Sequence, residues 1–343
     1  MSYKVSLAEA NKLFKALEEK FDIYAPKRFA AAGRYAETDI IKYAKVHSFD
    51  EIEYKKKSTY PMKEVIAPIQ QALFYFTEDE YRESKVSSKP ILAIARACDI
   101  NAIKVQTKIY LGNGGYTDAY YKRMRDRVRF VLIECVSQDD TCFCVSMGSN
   151  VTDDYALALR FNEDSLSFEV KDDDLNEFFK DADTVDFKPE FVNENETKVT
   201  VPEIEDRDTL NKLKEHPMWK EYNGRCISCG ACTLACSTCT CFTTKDLYYS
   251  DNEEVGERRR VAASCQIDTF AKVAGGGDYR KTAGDRMRYK MLHKFHDYKA
   301  RFKDTHMCVG CGRCIERCPE LISITHTLGK MCQAVEEIKK EAK

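Results

Sequence analysis

Two runs of four cysteines share one spacing, Cys-x2-Cys-x2-Cys-x3-Cys: Cys226, Cys229, Cys232 and Cys236, then Cys308, Cys311, Cys314 and Cys318. Three thiols two residues apart wrap a tight loop around one face of an iron-sulfur cubane. In two-cluster proteins the fourth, at the start of a helix, serves the neighbouring cluster. The pattern therefore predicts crossed ligand sets for two 4Fe-4S clusters, Cys226, Cys229 and Cys232 with Cys318, and Cys308, Cys311 and Cys314 with Cys236. Whatever the chain folds into, it must bring two distant runs together.

Other uses of cysteine fit less well. Structural zinc favours two separated ligand pairs, and disulfides belong to small secreted chains. Gly230 and Gly312 follow the second cysteine of each quartet, where a loop packed on a cluster has no room for a Cβ. Pro319 follows Cys318 as in the bacterial ferredoxin run, whereas Ser237 stands in the equivalent place after Cys236. The expected effect of that serine is on chain rigidity alone.

A chain of 343 residues has room for two domains. Sixteen cysteines, with an N-terminal MSYKVSLAEA that lacks the charge-then-apolar order of an export signal, predict a reducing, cytoplasmic setting. No apolar run reaches the roughly 18 residues of a spanning helix, so a membrane role would need a partner. The net charge of −2 hides an asymmetry. From Glu163 to Asp208 there are 17 acidic residues against 5 basic, and from Glu257 to Lys303 there are 13 basic against 5 acidic. Such blocks are read first as solvated or docking surfaces.

The expected fold class is α+β, a mixed α/β N-terminal domain (1–205) followed by a helical, ferredoxin-like two-cluster domain (206–343). Ser6 to Phe21 has helical spacing, with Ser6 and Glu9 placed as a capping box. Apolar runs at Val65 to Ile69, Pro90 to Ala95 and Val128 to Cys135 predict strands, with a helix from Asp99 to Tyr110. Two such strands around a helix predict a partly parallel, buried sheet. The polar stretch Phe187 to Asp208 reads as a linker. Beyond it, helices are expected over Thr209 to Tyr222, Gly284 to Phe302 and Leu321 to Lys343.

The stretches RACDINAI (Arg96 to Ile103), FVLIEC (Phe130 to Cys135), CFCVSMGSN (Cys142 to Asn150), RCISCGACTLACSTCTCF (Arg225 to Phe242), GERRRVAASC (Gly256 to Cys265) and HMCVGCGRCIERCP (His306 to Pro319) closely resemble the iron-sulfur electron-transfer subunit of the anaerobic sulfite reductase. The resemblance runs almost end to end. It extends more loosely to the iron-sulfur β subunits of cytoplasmic sulfhydrogenases. It implies a relay, not itself catalytic, that takes electrons from the flavin/NADH subunit of the complex and passes them to the siroheme subunit, which reduces sulfite to sulfide. The equivalent subunit of a sulfhydrogenase or polysulfide reductase is the alternative.

Cofactors of the partners are not expected on this chain. Cys226 to Cys232 and Cys314 to Cys318 meet siroheme-enzyme spacings only if Cys229 and Cys311 are ignored. The glycine clusters Gly112 to Gly115 and Gly275 to Gly277 lack the Gly-x-Gly-x-x-Gly of a dinucleotide fold, so neither flavin nor NAD is expected here.

Eight cysteines lie outside the quartets. Seven of them, Cys98, Cys135, Cys142, Cys144, Cys239, Cys241 and Cys265, fall in the family-like strings and are candidates for a third iron-sulfur centre. The simplest set is Cys98, Cys135, Cys142 and Cys144, because Cys98 and Cys135 end neighbouring predicted strands. Cys332 reads as packing. His293 and His296 read as surface or interface histidines, and His306, two residues before Cys308, is placed to tune a cluster by hydrogen bonding. Arg258, Arg259 and Arg260 are expected to dock an acidic partner. Nucleic acid is a weaker reading of these arginines, because no nucleic-acid motif accompanies them.

Overall fold

The computed structural model describes residues 1–135 and 138–341. The chain divides into two units that interleave in sequence. The first comprises residues 1–139, 149–194 and 244–261, and the second comprises 140–148, 195–243 and 262–343. A single boundary after residue 205 does not describe this arrangement. Segment 140–148 joins the second unit through backbone pairing, with the Phe143 amide donating to the Gly310 carbonyl at 2.8 Å. Strand pairing with residues 70–76 draws 256–261 into the first. Composition along the chain carries no trace of such distant hydrogen bonds.

In chain order the strands are β1 (Ser2–Ser6), β2 (Asp22–Phe29), β3 (Ile40–Lys45), β4 (Gln70–Phe76), β5 (Tyr81–Glu83), β6 (Ile91–Ala95), β7 (Val128–Ile133), β8 (Leu157–Phe161), β9 (Ser165–Val170), β10 (Asp183–Thr184), β11 (Phe242–Tyr248) and β12 (Gly256–Ala262). Among the described residues, eight of them form one sheet in the order β10-β1-β9-β8-β7-β6-β2-β3. β2, β6, β7 and β8 run parallel at its centre, and the flanking strands are antiparallel. All five residues of β6 are buried, as a strand covered on both faces requires. Leu92 and Ile94 enter one core with Phe14 and Leu17 of the helix Leu7–Lys20. Ile91, Ala93 and Ala95 enter the other with Ile100 and Ile103 of the helix Ala97–Gly112. That period of two is the pleat itself. A second sheet has the order β11-β12-β4-β5.

The parallel pair β6 and β7 with its connecting helix matches the sequence reading. Two local expectations fail. Val65 to Ile69 contributes a helical turn, Lys63–Ile66, because a five-residue apolar run has no decisive period and Pro68 ends it. Ser6 is an N-cap by position, but its hydroxyl donates to the Glu9 carboxylate at 2.7 Å and caps no backbone amide.

The second unit is mostly helical. Asp206 caps the helix Arg207–Glu215 by accepting from the Thr209 amide at 2.7 Å, and Pro217 then starts a separate 3-10 turn that buries Trp219. The expected helix near Gly284 begins one residue earlier, at Ala283, under a reciprocal box of Thr282 and Asp285. It contains a π-helical turn, His293–Asp297, before continuing over Tyr298–Phe302. The last helix spans Ile324–Glu341, and the final two residues of its expected range lie outside the described residues. Trp219, Tyr222, Met287, Met291, Phe295, Leu328 and Met331 form the core of this unit. Phe187 to Asp208 holds no helix or strand before Arg207, yet it is tied down. Asn195 is buried and accepts from the Val145 amide at 2.8 Å. No helix among the described residues is long and apolar enough to cross a membrane.

Candidate metal centre

The short helix Tyr222–Arg225 ends at Cys226, and the chain then turns through two left-handed residues, Ser228 (φ 59°) and Gly230 (φ 79°). A Cβ on Gly230 would stand 3.0 Å from that of Ser264, so both backbone angle and space favour glycine. This loop forms one wall of a cavity lined by Cys226, Cys229, Cys232 and Cys318, with Cys314 and Lys290 also on its surface. Ile227, Met287 and Ile322 supply apolar walls. The structure thus brings the last cysteine of the second quartet to the first three of the first.

The second quartet repeats the turn with Gly310 (φ 63°) and Gly312 (φ 72°). A Cβ on Gly310 would meet the Phe143 carbonyl at 2.5 Å. Cys236 lies close enough to Cys308 and Cys314 that its negative charge raises both thiols, after burial, which is the largest cause. Burial pushes Cys308 up to about 12. Such thiols remain protonated unless a cation replaces the proton. Backbone amides already point at sulfur: Gly310 N–H donates to Cys308 Sγ at 3.5 Å and Ile322 N–H to Cys318 Sγ at 3.3 Å. Soft thiol donors, apolar walls, amide donors and glycine-cleared loops fit an iron-sulfur cluster.

A family model described as a 4Fe-4S dicluster domain matches residues 225–322. The sulfhydrogenase 2 subunit beta of Pyrococcus furiosus is 31% identical over 335 residues, covering 93% of this chain and 94% of that relative. The chain belongs to the sulfhydrogenase β-subunit family. No solved structure matches it. As a family member with the dicluster domain, it is an iron-sulfur electron-transfer subunit.

Ser237 does more in this family member than relax the chain. Its hydroxyl accepts from the fully buried Arg313 at 2.9 Å and stands 3.6 Å from Cys311 Sγ, so a serine here ties a buried guanidinium to a quartet cysteine. Proline would supply neither contact. Motif comparison alone cannot see this, because Arg313 reaches back across 76 residues.

The third-centre candidates fall on both units. Cys98 and Cys135 belong to the first unit, in equivalent positions past the paired ends of β6 and β7, and Arg96 donates to Cys135 Sγ at 3.4 Å. Cys142 and Cys144 belong to the second, flanking Phe143. Cys142 Sγ donates to the Cys311 carbonyl at 3.9 Å and Cys144 Sγ to Asn195 Oδ1 at 3.5 Å. Cys241 and Cys265 hydrogen-bond each other, which raises the first and lowers the second, while Cys239 is paired with Cys236. Cys332 donates to the Thr200 carbonyl at 3.3 Å.

The histidines and arginines also find local partners. His293 stacks on Tyr289, with centroids 5.4 Å apart, and burial lowers it to about 4. His296 pairs with Asp297 at 2.8 Å. His306 is lowered by burial and packs against Phe295, and its Nδ1 meets no hydrogen-bond partner among the described residues. Within the arginine run, Arg258 is exposed, Arg259 is half-buried and Arg260 is buried. Arg258 grips Asp246 at 2.6 and 2.7 Å, Arg259 pairs with Glu257, and Arg260 is buried against Asp118. A β-bulge between Arg258 and Arg259 breaks the alternation of β12 and turns Arg260 inward.

Sequence reading missed Lys290 and Lys294. Both were counted in the basic block, yet both are buried. A signal was present: they interleave with Met287, Met291, Phe295 and Tyr298, the apolar stripe of the same helix.

Proposed function

We propose that this chain holds two 4Fe-4S clusters, one on Cys226, Cys229, Cys232 and Cys318 and the other on Cys308, Cys311, Cys314 and Cys236. We further propose that it is the relay of an NADH-linked anaerobic sulfite reductase complex. The observation that carries the ligand sets is the cavity where Cys318 joins the first three cysteines of the other quartet. Each cluster, when bound, supplies a one-electron couple. The chain's own residues hold the thiols, line the first site with the apolar side chains of Ile227, Met287 and Ile322, and direct amide hydrogens at sulfur. Acid, base and nucleophile have no part in this work. The flavin/NADH donor and the siroheme acceptor rest on the resemblance of the quoted strings. Cys98, Cys135, Cys142, Cys144, Cys239, Cys241 and Cys265 are the candidates for a third iron-sulfur centre.

A second reading, the same relay in a sulfhydrogenase, is favoured by 31% identity to a protein of that name over 93% of the chain. The two differ in the terminal partner. Anaerobic purification of the native assembly tests both. About eight irons per chain are expected from the two clusters, and about twelve would show a third centre. Siroheme in the assembly supports the sulfite reductase, whereas nickel without siroheme supports the sulfhydrogenase. In the siroheme assembly, Cys311→Ala is expected to abolish NADH-to-sulfite flow while dithionite still reduces the siroheme. Retention of full NADH activity would overturn the relay.

A further inference from the structure

Lys290 and Lys294 stand one turn apart on the helix that carries the π-turn, and they are only 4% and 2% exposed. Lys290 lines the cavity of the first quartet and hydrogen-bonds Cys232, with Cys314 and Cys239 as its other cysteine neighbours. Lys294 donates from Nζ to Thr238 Oγ1 at 3.0 Å and hydrogen-bonds Cys236, and Thr238 Oγ1 is itself 3.4 Å from Cys236 Sγ. The groups that face the two ammoniums include cysteines of both quartets, Cys239 and the Thr238 hydroxyl.

A buried ammonium is costly to leave without a counter-charge, and two on one helix also repel each other. Buried protonated thiols offer them none. A cubane held by four thiolates is anionic and gains a further negative charge on reduction, so a fixed cation beside it favours the reduced form. The π-turn fits this role. Such an insertion re-aims side chains within a helix and recurs at functional sites.

We propose that Lys290 and Lys294 are the built-in counter-charges of the two centres, Lys290 for the first-quartet site and Lys294 for the second, and that they raise both reduction potentials. The inference rests on the two-cluster reading. They are positioning residues, acting on the clusters through charge and through the ligand sulfurs Cys232 and Cys236. The arrangement also gives the π-turn a reason, since it sets Lys294 against the second quartet while Lys290 keeps its place at the first.

The test is an anaerobic redox titration of the full-length chain, followed by electron paramagnetic resonance, with iron counted in the same samples. Lys290→Met, Lys294→Met and the corresponding Gln variants are each expected to weaken reduction of one couple at least tenfold, about 59 mV for one electron. Arg variants, which keep the charge, should stay within about threefold of the parent, by the same conversion. Unchanged potentials in Met variants with full iron would overturn the proposal, as would wild-type potentials in the Gln variants. If Met and Gln variants lose iron, the Arg variants decide: iron retained supports a charge requirement, and iron lost shows a demand for lysine's shape and refutes it. Absence of iron in the parent protein would instead sink the two-cluster reading.

Discussion

The carbonyl oxygen of Lys294 accepts a hydrogen bond from the amide of Met307 at 3.0 Å. The relationship follows from the π-turn, since a wider turn leaves a carbonyl outside the regular ladder and a buried carbonyl needs a donor. Met307 immediately precedes Cys308, so the hydrogen bond locks the helix to the first cysteine of the second quartet. Met307→Pro deletes this donor, and iron per chain is expected to fall by about half, the share of one cluster. Met307→Leu keeps the amide and nearly the volume of a side chain only 1% exposed. It should retain iron at a cost under about 1.5 kcal/mol. Full iron in the proline variant would show the tie to be dispensable.

Ser237 yields a prediction opposite to the one its motif suggests. Ferredoxin runs place proline after the fourth cysteine, so Ser237→Pro should stiffen the loop and stabilise it if rigidity were all that mattered. The hydroxyl accepts from Arg313, which is 0% exposed, and approaches Cys311 Sγ. Ser237→Ala is expected to lower unfolding stability by about 1–3 kcal/mol in anaerobic denaturant titration, the range for a buried polar group that loses a partner. Ser237→Pro should be no more stable than Ser237→Ala. A proline variant more stable than the parent would return the residue to a matter of rigidity.

The parts legible in the sequence were those specified by near neighbours. Cysteine spacing and left-handed glycines mark the quartet loops, and apolar runs mark β6, β7 and the helix between them. Strands β1, β2 and β9 alternate burial over few residues and were passed over, because their identity depends on partners far along the chain. The interleaving of the units escaped for the same reason. Lys290 and Lys294 escaped because counting charge along a chain assumes that charge faces water, and Arg260 was misread on the same assumption.

Arg258 and Arg260, two residues apart on β12, should behave oppositely. Arg258 is half exposed in its pair with Asp246, and such pairs contribute about 0.2–1 kcal/mol, so Arg258→Ala is expected to change stability little. Arg260 is buried beside Tyr110 and Tyr120, and its partner Asp118 also caps the helix Ala119–Arg125 through the Tyr121 amide at 2.8 Å. Removing it leaves a largely buried carboxylate without its cation. Arg260→Ala is expected to cost about 3 kcal/mol by equilibrium unfolding. A cost no larger than that of Arg258→Ala would mean that the inward pair is dispensable and would reopen Arg260 as a surface group.

Tyr121 sets a pH limit on the first unit that can be measured apart from metal. Its ring stacks on Tyr110 at 4.3 Å between centroids, its hydroxyl is 3.1 Å from Thr107 Oγ1, and burial raises its pKa from 10 to about 12. Between those values the unfolded chain has lost the phenolic proton while the folded chain keeps it. Stability from this group is therefore complete below pH 10 and lost as pH rises through 12, at no more than about 1.4 kcal/mol per pH unit. Tyr121→Phe removes the titration together with a hydrogen bond that contributes about 0.5–1.5 kcal/mol. Urea unfolding from pH 9 to 11.5 should find the parent more stable at the low end, with the difference shrinking and then reversing above pH 10. Other tyrosines titrate in both proteins and cancel in that difference. A gap that stays constant across the range would show that Tyr121 ionises no later in the folded chain than in the unfolded one.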